Sequence, residues 1–139
     1  MSDEPSNHLP SLRTAIVSPD APTPTGPFPH AIRVGDLVFT SGQAGRNRET
    51  GVMGDAAEQV DWALRNIAAI LAAAGTSMAD VVKVTLFLRD DVTDMAAVNG
   101  SYTAHFGAAL PARSSVFVSR LKGPDMLVEI EAVAHVGRP

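Results

Sequence analysis

The stretch that decides the fold is DAAEQVDWALRNIAAILAAAGTSMADVVKVTLFLRD, residues 55–90. Its first part predicts an amphipathic helix, because apolar side chains recur at helical spacing. These side chains are Val60, Leu64, Ile67 and Leu71. Asp55 stands where it can cap the helix, Glu58 follows as its capping-box partner, and Gly75 ends the helix. The last part, residues 82–89, predicts a strand, because aliphatic side chains occupy every second position.

Shorter patterns on either side of this stretch predict four more strands and a second helix. The strands cover residues 31–34, 37–40, about 113–120 and about 126–136, and the helix covers about residues 94–106. Gly35-Asp36 joins the first two strands and Gly123-Pro124 joins the last two, so we expect two hairpins. This order of elements is typical of an α+β fold in which one mixed β-sheet carries two helices on one face.

The first 29 residues contain seven of the ten prolines. They stand at positions 5, 10, 19, 22, 24, 27 and 29. Prolines at this spacing exclude helices and central strands. We therefore expect a Pro-rich N-terminal arm over residues 1–25, extended or mobile until it docks, and one folded domain over residues 26–137.

The composition limits the classes of function. The chain has 139 residues, the length of one domain, and its lack of cysteine excludes disulfides and thiolate catalysis. Its net charge of −4 does not provide the basic surface that nucleic-acid binding needs. No apolar run has the length of a membrane span, and the N-terminus lacks the pattern of a secretion signal. We expect a cytoplasmic domain that binds neither nucleic acid nor membrane.

The last predicted strand has two different faces. Alternate residues from Met126 to Val136 are apolar and are expected to lie under the helices. The opposite face mixes apolar and acidic side chains, namely Leu127, Glu129, Glu131, Val133 and His135. In a single copy of the domain, water would reach these apolar groups. We therefore expect a second copy of the chain to cover this face.

Local spacing gives no signature of a phosphate loop, a metal site or a serine hydrolase. Gly42 and Gly45 fit neither nucleotide-binding pattern, and the four histidines include no pair at metal-binding spacing. Ser41 lacks the glycine that precedes the serine of a nucleophile elbow.

A more informative set is Arg113 with Glu129 and Glu131, on the last two predicted strands. One interpretation is a cross-strand ion pair, which contributes little stability. In the other, Arg113 follows an apolar loop, where a partly dry guanidinium can bind a carboxylate with two parallel hydrogen bonds. Glu129 could then orient a water molecule. The spacing leaves both interpretations open.

Several blocks of sequence follow one another along the chain. They are GPF at 26–28 with VGDLVFTSGQ at 34–43, AAG at 73–75 with DVVKVT at 80–85, VN at 98–99, PARS at 111–114, and VEIEA at 128–132. In this order they resemble the RidA/YjgF family of enamine/imine deaminases. The resemblance implies a chorismate-mutase-like α+β domain that assembles as a homotrimer with clefts between subunits. It also implies hydrolysis of reactive 2-imino acids, such as 2-iminobutanoate and 2-iminopropanoate, to 2-oxo acids and ammonia. Such imines arise from pyridoxal-phosphate dehydratases and damage enzymes if they persist. No cofactor or metal is implied.

The resemblance also assigns roles to residues of this chain. Arg113 would bind the substrate carboxylate, and Glu129 would hold the attacking water and accept its proton. The substrate-binding residues would be Phe28, Ser41, Gly42, Asn99 and Ser115. Glu131, two residues from Glu129 along the same strand face, is expected to have a structural or interface role.

Three features depart from the family pattern. The family often has Tyr at the position of Phe28 and Cys at the position of Ser115, and the loop over residues 120–129 is one residue longer here. Two alternatives remain within the resemblance. One is a non-catalytic module that binds a small carboxylate in the same cleft. The other is a ribonuclease or translation inhibitor, against which the acidic charge and the aromatic content of 5% weigh.

Overall fold

The computed structural model describes residues 12–137 as a mixed sheet with two α-helices. The strands are β1 Arg13–Ile16, β2 Ala31–Val34, β3 Leu37–Thr40, β4 Gln43–Ala44, β5 Val81–Arg89, β6 Ala112–Val118 and β7 Val128–His135. The helices are α1 Ala56–Ala73 and α2 Met95–Phe106, and a single 3₁₀ turn, Met78–Asp80, precedes β5. The predicted α+β class and both predicted helices are confirmed.

Helix α1 forms where its capping residues and its apolar stripe predict. The Asp55 side chain accepts a hydrogen bond from the Glu58 N–H, and the Glu58 side chain accepts one from the Asp55 N–H, both at 2.9 Å. The helix packs its apolar stripe on β7 and β4, and α2 packs beside it. Asp94 caps α2, and Gly107 ends it with a φ of 56°, a left-handed conformation that favours glycine.

The strand order is β1-β2-β3-β7-β5-β6, with β4 also pairing with β7. The first predicted hairpin, β2–β3, is confirmed. The second is wrong, because β5 lies between β6 and β7. Helix α2 returns the chain over the sheet after β5, so β6 runs parallel to β5 instead of pairing with β7. The cross-strand ion pair between Arg113 and the β7 glutamates is therefore wrong as well.

Strand β1 lies inside the segment that the prolines mark as an arm. It pairs antiparallel with β2 at the edge of the sheet, in the proline-free interval between Pro10 and Pro19. Beyond it, the buried imidazole of His30 holds the chain on the body. Its Nδ1 accepts from the Ser18 N–H at 2.9 Å, and its Nε2 lies 2.7 Å from the Pro22 carbonyl oxygen. The division at residue 25 stays a prediction, and residues 1–11 lie outside the described part.

The two faces of β7 differ as predicted. Val128, Ile130, Ala132 and Ala134 are buried under α1. The intervening residues face the opposite side of the sheet, where Phe39 on β3 is 45% exposed and Val116 on β6 is 40% exposed. This outer face carries apolar groups that no element among residues 12–137 covers. No helix in the same range has the length and apolarity needed to cross a membrane.

Candidate active site

The structure divides the predicted site residues into two groups. The first lines a cleft of about 750 Å³, which we call the Glu129 cleft. It contains Phe28, Ser41, Gly42 and Glu129. The second group, which we call the Arg113 cluster, consists of Arg113, Asn99 and Ser115 together with Tyr102. It lies where β6 runs beside α2.

Glu129 reaches the cleft from β7 and lies against the backbone of Gly42. A Cβ atom at Gly42 would overlap the Glu129 carboxylate, so glycine is required for this close approach. Burial is the largest influence on Glu129 and raises its pKa, Glu131 raises the pKa further, and Lys122 lowers it. Because its pKa is raised, the Glu129 carboxylate is a stronger base than an exposed one and is suited to accept a proton from water inside the cleft.

The end of β3 is fastened in place by hydrogen bonds to its neighbours. The Ser41 N–H donates to the His30 carbonyl, and the Ser41 hydroxyl donates to the Pro29 carbonyl, both at 2.8 Å. The Thr40 hydroxyl oxygen accepts from the Ala132 N–H of β7 at 3.0 Å. These bonds fix the backbone at Ser41 and Gly42 opposite Glu129.

The outer wall of the Glu129 cleft comes from two segments that the sequence analysis did not assign to the site. One is the chain over residues 22–25, and the other is the loop after β6 that carries Lys122. The Lys122 ammonium donates to the Thr25 carbonyl oxygen at 3.1 Å and to its hydroxyl at 3.0 Å. It also lies 5.9 Å from the centroid of the Phe28 ring. The only sequence signal for this wall is the extra residue in the loop.

In the Arg113 cluster, two hydrogen bonds and one ring hold the guanidinium. Arg113 Nε donates to the Ser115 hydroxyl and a terminal nitrogen donates to the Asn99 side-chain oxygen, both at 2.8 Å. The guanidinium carbon lies 4.6 Å from the centroid of the Tyr102 ring. Since a guanidinium has five N–H donors, others remain for a ligand. Tyr102 was missed as a site residue, although it stands one turn after Asn99 on α2.

One chain does not bring Arg113 and Glu129 together. In the register of the sheet, Arg113 on β6 pairs with Val84 on β5, and Val84 pairs with Ala132 on β7. Ala132 is three residues from Glu129 along β7. Two strand spacings across and three residues along the sheet place the two Cα atoms about 14 Å apart. The side chains also leave opposite faces, since Arg113 contacts α2 while Glu129 lies on the outer face.

No group of three or more His, Asp and Glu side chains within residues 12–137 could hold a metal ion. The geometry itself offers a carboxylate base in the Glu129 cleft and a guanidinium in the Arg113 cluster. Each is held by its own neighbours.

Comparisons with known proteins connect this geometry to a family. The family described as endoribonuclease L-PSP matches residues 18–136. A RutC family protein of Pyrococcus abyssi is 46% identical over 125 residues, covering 88% of this chain and 97% of the relative. The 2-iminobutanoate/2-iminopropanoate deaminase of Escherichia coli K12 is 42% identical over 127 residues, covering 88% and 98%.

Solved structures agree with these sequence matches. The crystal structure of the E. coli YjgF gene product superposes with a TM-score of 0.80 at 39% identity, covering 88% of this chain and 98% of that one. The E. coli TdcF structure with bound serine also gives 0.80, at 37% identity and with the same coverage. This chain, which carries the Glu129 cleft and the Arg113 cluster, therefore belongs to the YjgF/RidA family.

Proposed function

We propose that this protein hydrolyses 2-imino acids, such as 2-iminobutanoate and 2-iminopropanoate, to 2-oxo acids and ammonia. The observation that carries the proposal is the half-buried Glu129 carboxylate, fitted against Gly42 in an open cleft. The name of the E. coli relative, 2-iminobutanoate/2-iminopropanoate deaminase, supports this chemistry. We assign the activity to the cytoplasm, where pyridoxal-phosphate dehydratases would release such imines.

The complete site requires a second copy of the chain. Glu129 and Arg113 lie on opposite faces of one sheet, about 14 Å apart by strand spacing, so a small imino acid cannot contact both in one subunit. Phe39 and Val116 leave apolar surface on the outer face, the face on which Glu129 also lies. A homotrimer in which each subunit covers this face of the next would bring the Arg113 cluster of one subunit to the Glu129 cleft of another.

The two groups would divide the reaction between them. The N–H donors of Arg113 that Ser115 and Asn99 leave unused bind the substrate carboxylate, a charge-assisted contact worth about 1.5–3 kcal/mol. Glu129 accepts a proton from water while the water oxygen bonds to the iminium carbon, giving a carbinolamine. Glu129 then returns the proton to the amine nitrogen. The carbon–nitrogen bond breaks as ammonia leaves. The hydroxyl proton of the carbinolamine passes to Glu129 as the carbonyl of the 2-oxo acid forms, and ammonia takes this proton up as ammonium.

The test is an imine-trapping assay. An amino-acid oxidase generates 2-iminobutanoate or 2-iminopropanoate in the presence of semicarbazide, and an active deaminase lowers the yield of semicarbazone. We expect the wild type to lower it, while Arg113→Lys and Glu129→Gln do not. Arg113→Lys keeps the charge but loses the planar fork, so full activity in this variant would contradict the assigned role of Arg113.

The same preparation tests the alternatives. Phe28 lies in the cleft wall without the hydroxyl that the family often has there, which favours a module that binds carboxylates without turnover. A rise in melting temperature with 2-oxobutanoate, in a protein that consumes no imine, would support that alternative. Cleavage of RNA that persists in Arg113→Ala and Glu129→Ala would support the ribonuclease.

A further inference from the structure

The Glu129 cleft has a positive rim. Three cationic residues, Arg46, Arg120 and Lys122, line it together with one acidic residue, Glu129. The chain as a whole has a net charge of −4, so this local excess of positive charge runs against the composition. A cleft lined by charge of one sign raises the local concentration of ligands with the opposite charge.

Lys122 is held in a defined place on this rim. Two of the three N–H donors of its ammonium reach Thr25, at 3.0 and 3.1 Å, which leaves one donor. The loop that carries Lys122 is anchored by the buried side chain of Gln59. The Gln59 amide donates to the Asp125 carbonyl at 3.0 Å and accepts from the Leu127 N–H at 2.8 Å. The loop therefore presents Lys122 from a fixed base.

An apolar wall accompanies the charged rim. Phe28, Leu121 and Met126 line the same cleft. The volume of about 750 Å³ is in the range of clefts that enclose drug-sized ligands, larger than an imino acid with a methyl or ethyl side chain needs. In the proposed reaction Arg113 of a second subunit binds the substrate carboxylate. The positive rim is then left for a different part of the substrate.

We propose that the cleft selects 2-imino acids whose side chain ends in a second carboxylate, with Lys122 as the residue that binds this group. This inference rests on the proposed function. The methylenes of the substrate side chain would lie against the apolar wall. The terminal carboxylate would accept a hydrogen bond from the remaining N–H of Lys122, and Arg120 would add positive charge at the same rim. Substrates of this class are the imines formed when acidic amino acids are oxidised at the α-carbon.

The test compares two imines that differ only at the end of the side chain. 2-Iminoglutarate and 2-iminopentanoate, made in the assay by amino-acid oxidases from glutamate and norvaline, have the same chain length, but only the first ends in a carboxylate. We expect the wild type to favour 2-iminoglutarate by about tenfold or more in kcat/KM, the effect of one charge-assisted hydrogen bond. Lys122→Met should bring the ratio close to one, while Lys122→Arg keeps the preference. The ratio is the readout, because loss of the Lys122 charge also raises the pKa of Glu129 and so affects both imines alike.

Arg33→Met is the matched control, because Arg33 lies on β2 outside the cleft and its loss changes the net charge by the same amount. Its ratio should equal that of the wild type. A wild-type ratio near one, or an equal loss on both imines in Lys122→Met, would overturn the inference and leave the deaminase intact. If neither imine is hydrolysed while 2-iminobutanoate is, the inference is overturned. If 2-iminobutanoate is not hydrolysed either, the proposed function fails, and binding decides the inference. Tighter binding of 2-oxoglutarate than of 2-oxopentanoate by the wild type, lost in Lys122→Met, would support it, and equal binding would overturn it.

Discussion

The proposed division of the site between subunits predicts that two inactive variants restore each other's activity. Arg113→Ala removes the carboxylate-binding group and keeps Glu129, whereas Glu129→Gln removes the base and keeps Arg113. Each variant alone should lose about 100-fold or more in kcat/KM, the effect of losing a general base or a main binding group. Mixed oligomers contain clefts that take Arg113 from one variant and Glu129 from the other.

The size of the restored activity follows from the geometry. Arg113 and Glu129 lie on different strands and opposite faces, so in the proposed oligomer each cleft takes Arg113 from one subunit and Glu129 from its neighbour. With equal amounts and random mixing, each of these two requirements is met half of the time. About one quarter of the clefts are then intact, so the mixture should show about one quarter of wild-type activity.

The assay refolds the two variants together from denaturant and measures semicarbazone formation. Native mass spectrometry on differently tagged chains verifies that mixed oligomers form. Each variant refolded alone is the control and should stay at background. Mixed oligomers with background activity would refute the shared site, as would full activity in either variant by itself.

Other predictions concern the surroundings of Glu129 and the stability of the fold. Because burial raises the pKa of Glu129, kcat/KM should fall as the pH drops through an inflection above the ordinary pKa of 4.5. For the same reason, Glu129→Gln should raise the free energy of unfolding in urea at pH 7, where the folded protein holds a buried charge. Below pH 4.5 the carboxyl is protonated in both the folded and the unfolded state, so this gain should disappear. Gly42→Ala should lower kcat/KM by about 100-fold, because the new Cβ displaces the Glu129 carboxylate. The control is Gly100→Ala on α2, where a Cβ meets nothing within 4 Å. This variant should leave kcat/KM unchanged and stabilise α2 by about 1 kcal/mol. Gln59→Ala should lower the free energy of unfolding in urea by about 2–5 kcal/mol, because the Asp125 carbonyl and the Leu127 N–H lose a buried partner; an unchanged urea midpoint would contradict this.

Local sequence patterns predicted where the helices and strands lie better than they predicted which strands pair. The capping box of α1, the β2–β3 hairpin and the two faces of β7 depend on residues a few positions apart, and all three were read from the sequence. The pairing of β6 was not, because its apolar pattern suits β5 and β7 equally. Only the crossover through α2 decides between them.

The candidate site was predicted only in part, because its residues are far apart in the sequence. Residues 28, 41, 42 and 129 converge in one chain, but the sequence could not show that Arg113 lies on the other face, since that depends on the strand order. Lys122 was missed because its partner Thr25 is 97 positions away, with no pattern joining them. Strand β1 was missed because its four residues show no alternation of buried and exposed side chains.

The position of β7 in the sheet has a consequence for how the protein is made. Strands β3, β4 and β5 all pair with β7, which is the last strand of residues 12–137 to leave the ribosome. Before β7 is available, the β1-β2-β3 ribbon and the β5-β6 pair have no strand between them, and Glu129 is missing from the cleft. A chain that stops before β7 therefore exposes two separate sheet edges and lacks Glu129. Cellular proteases can recognise such a chain by those edges.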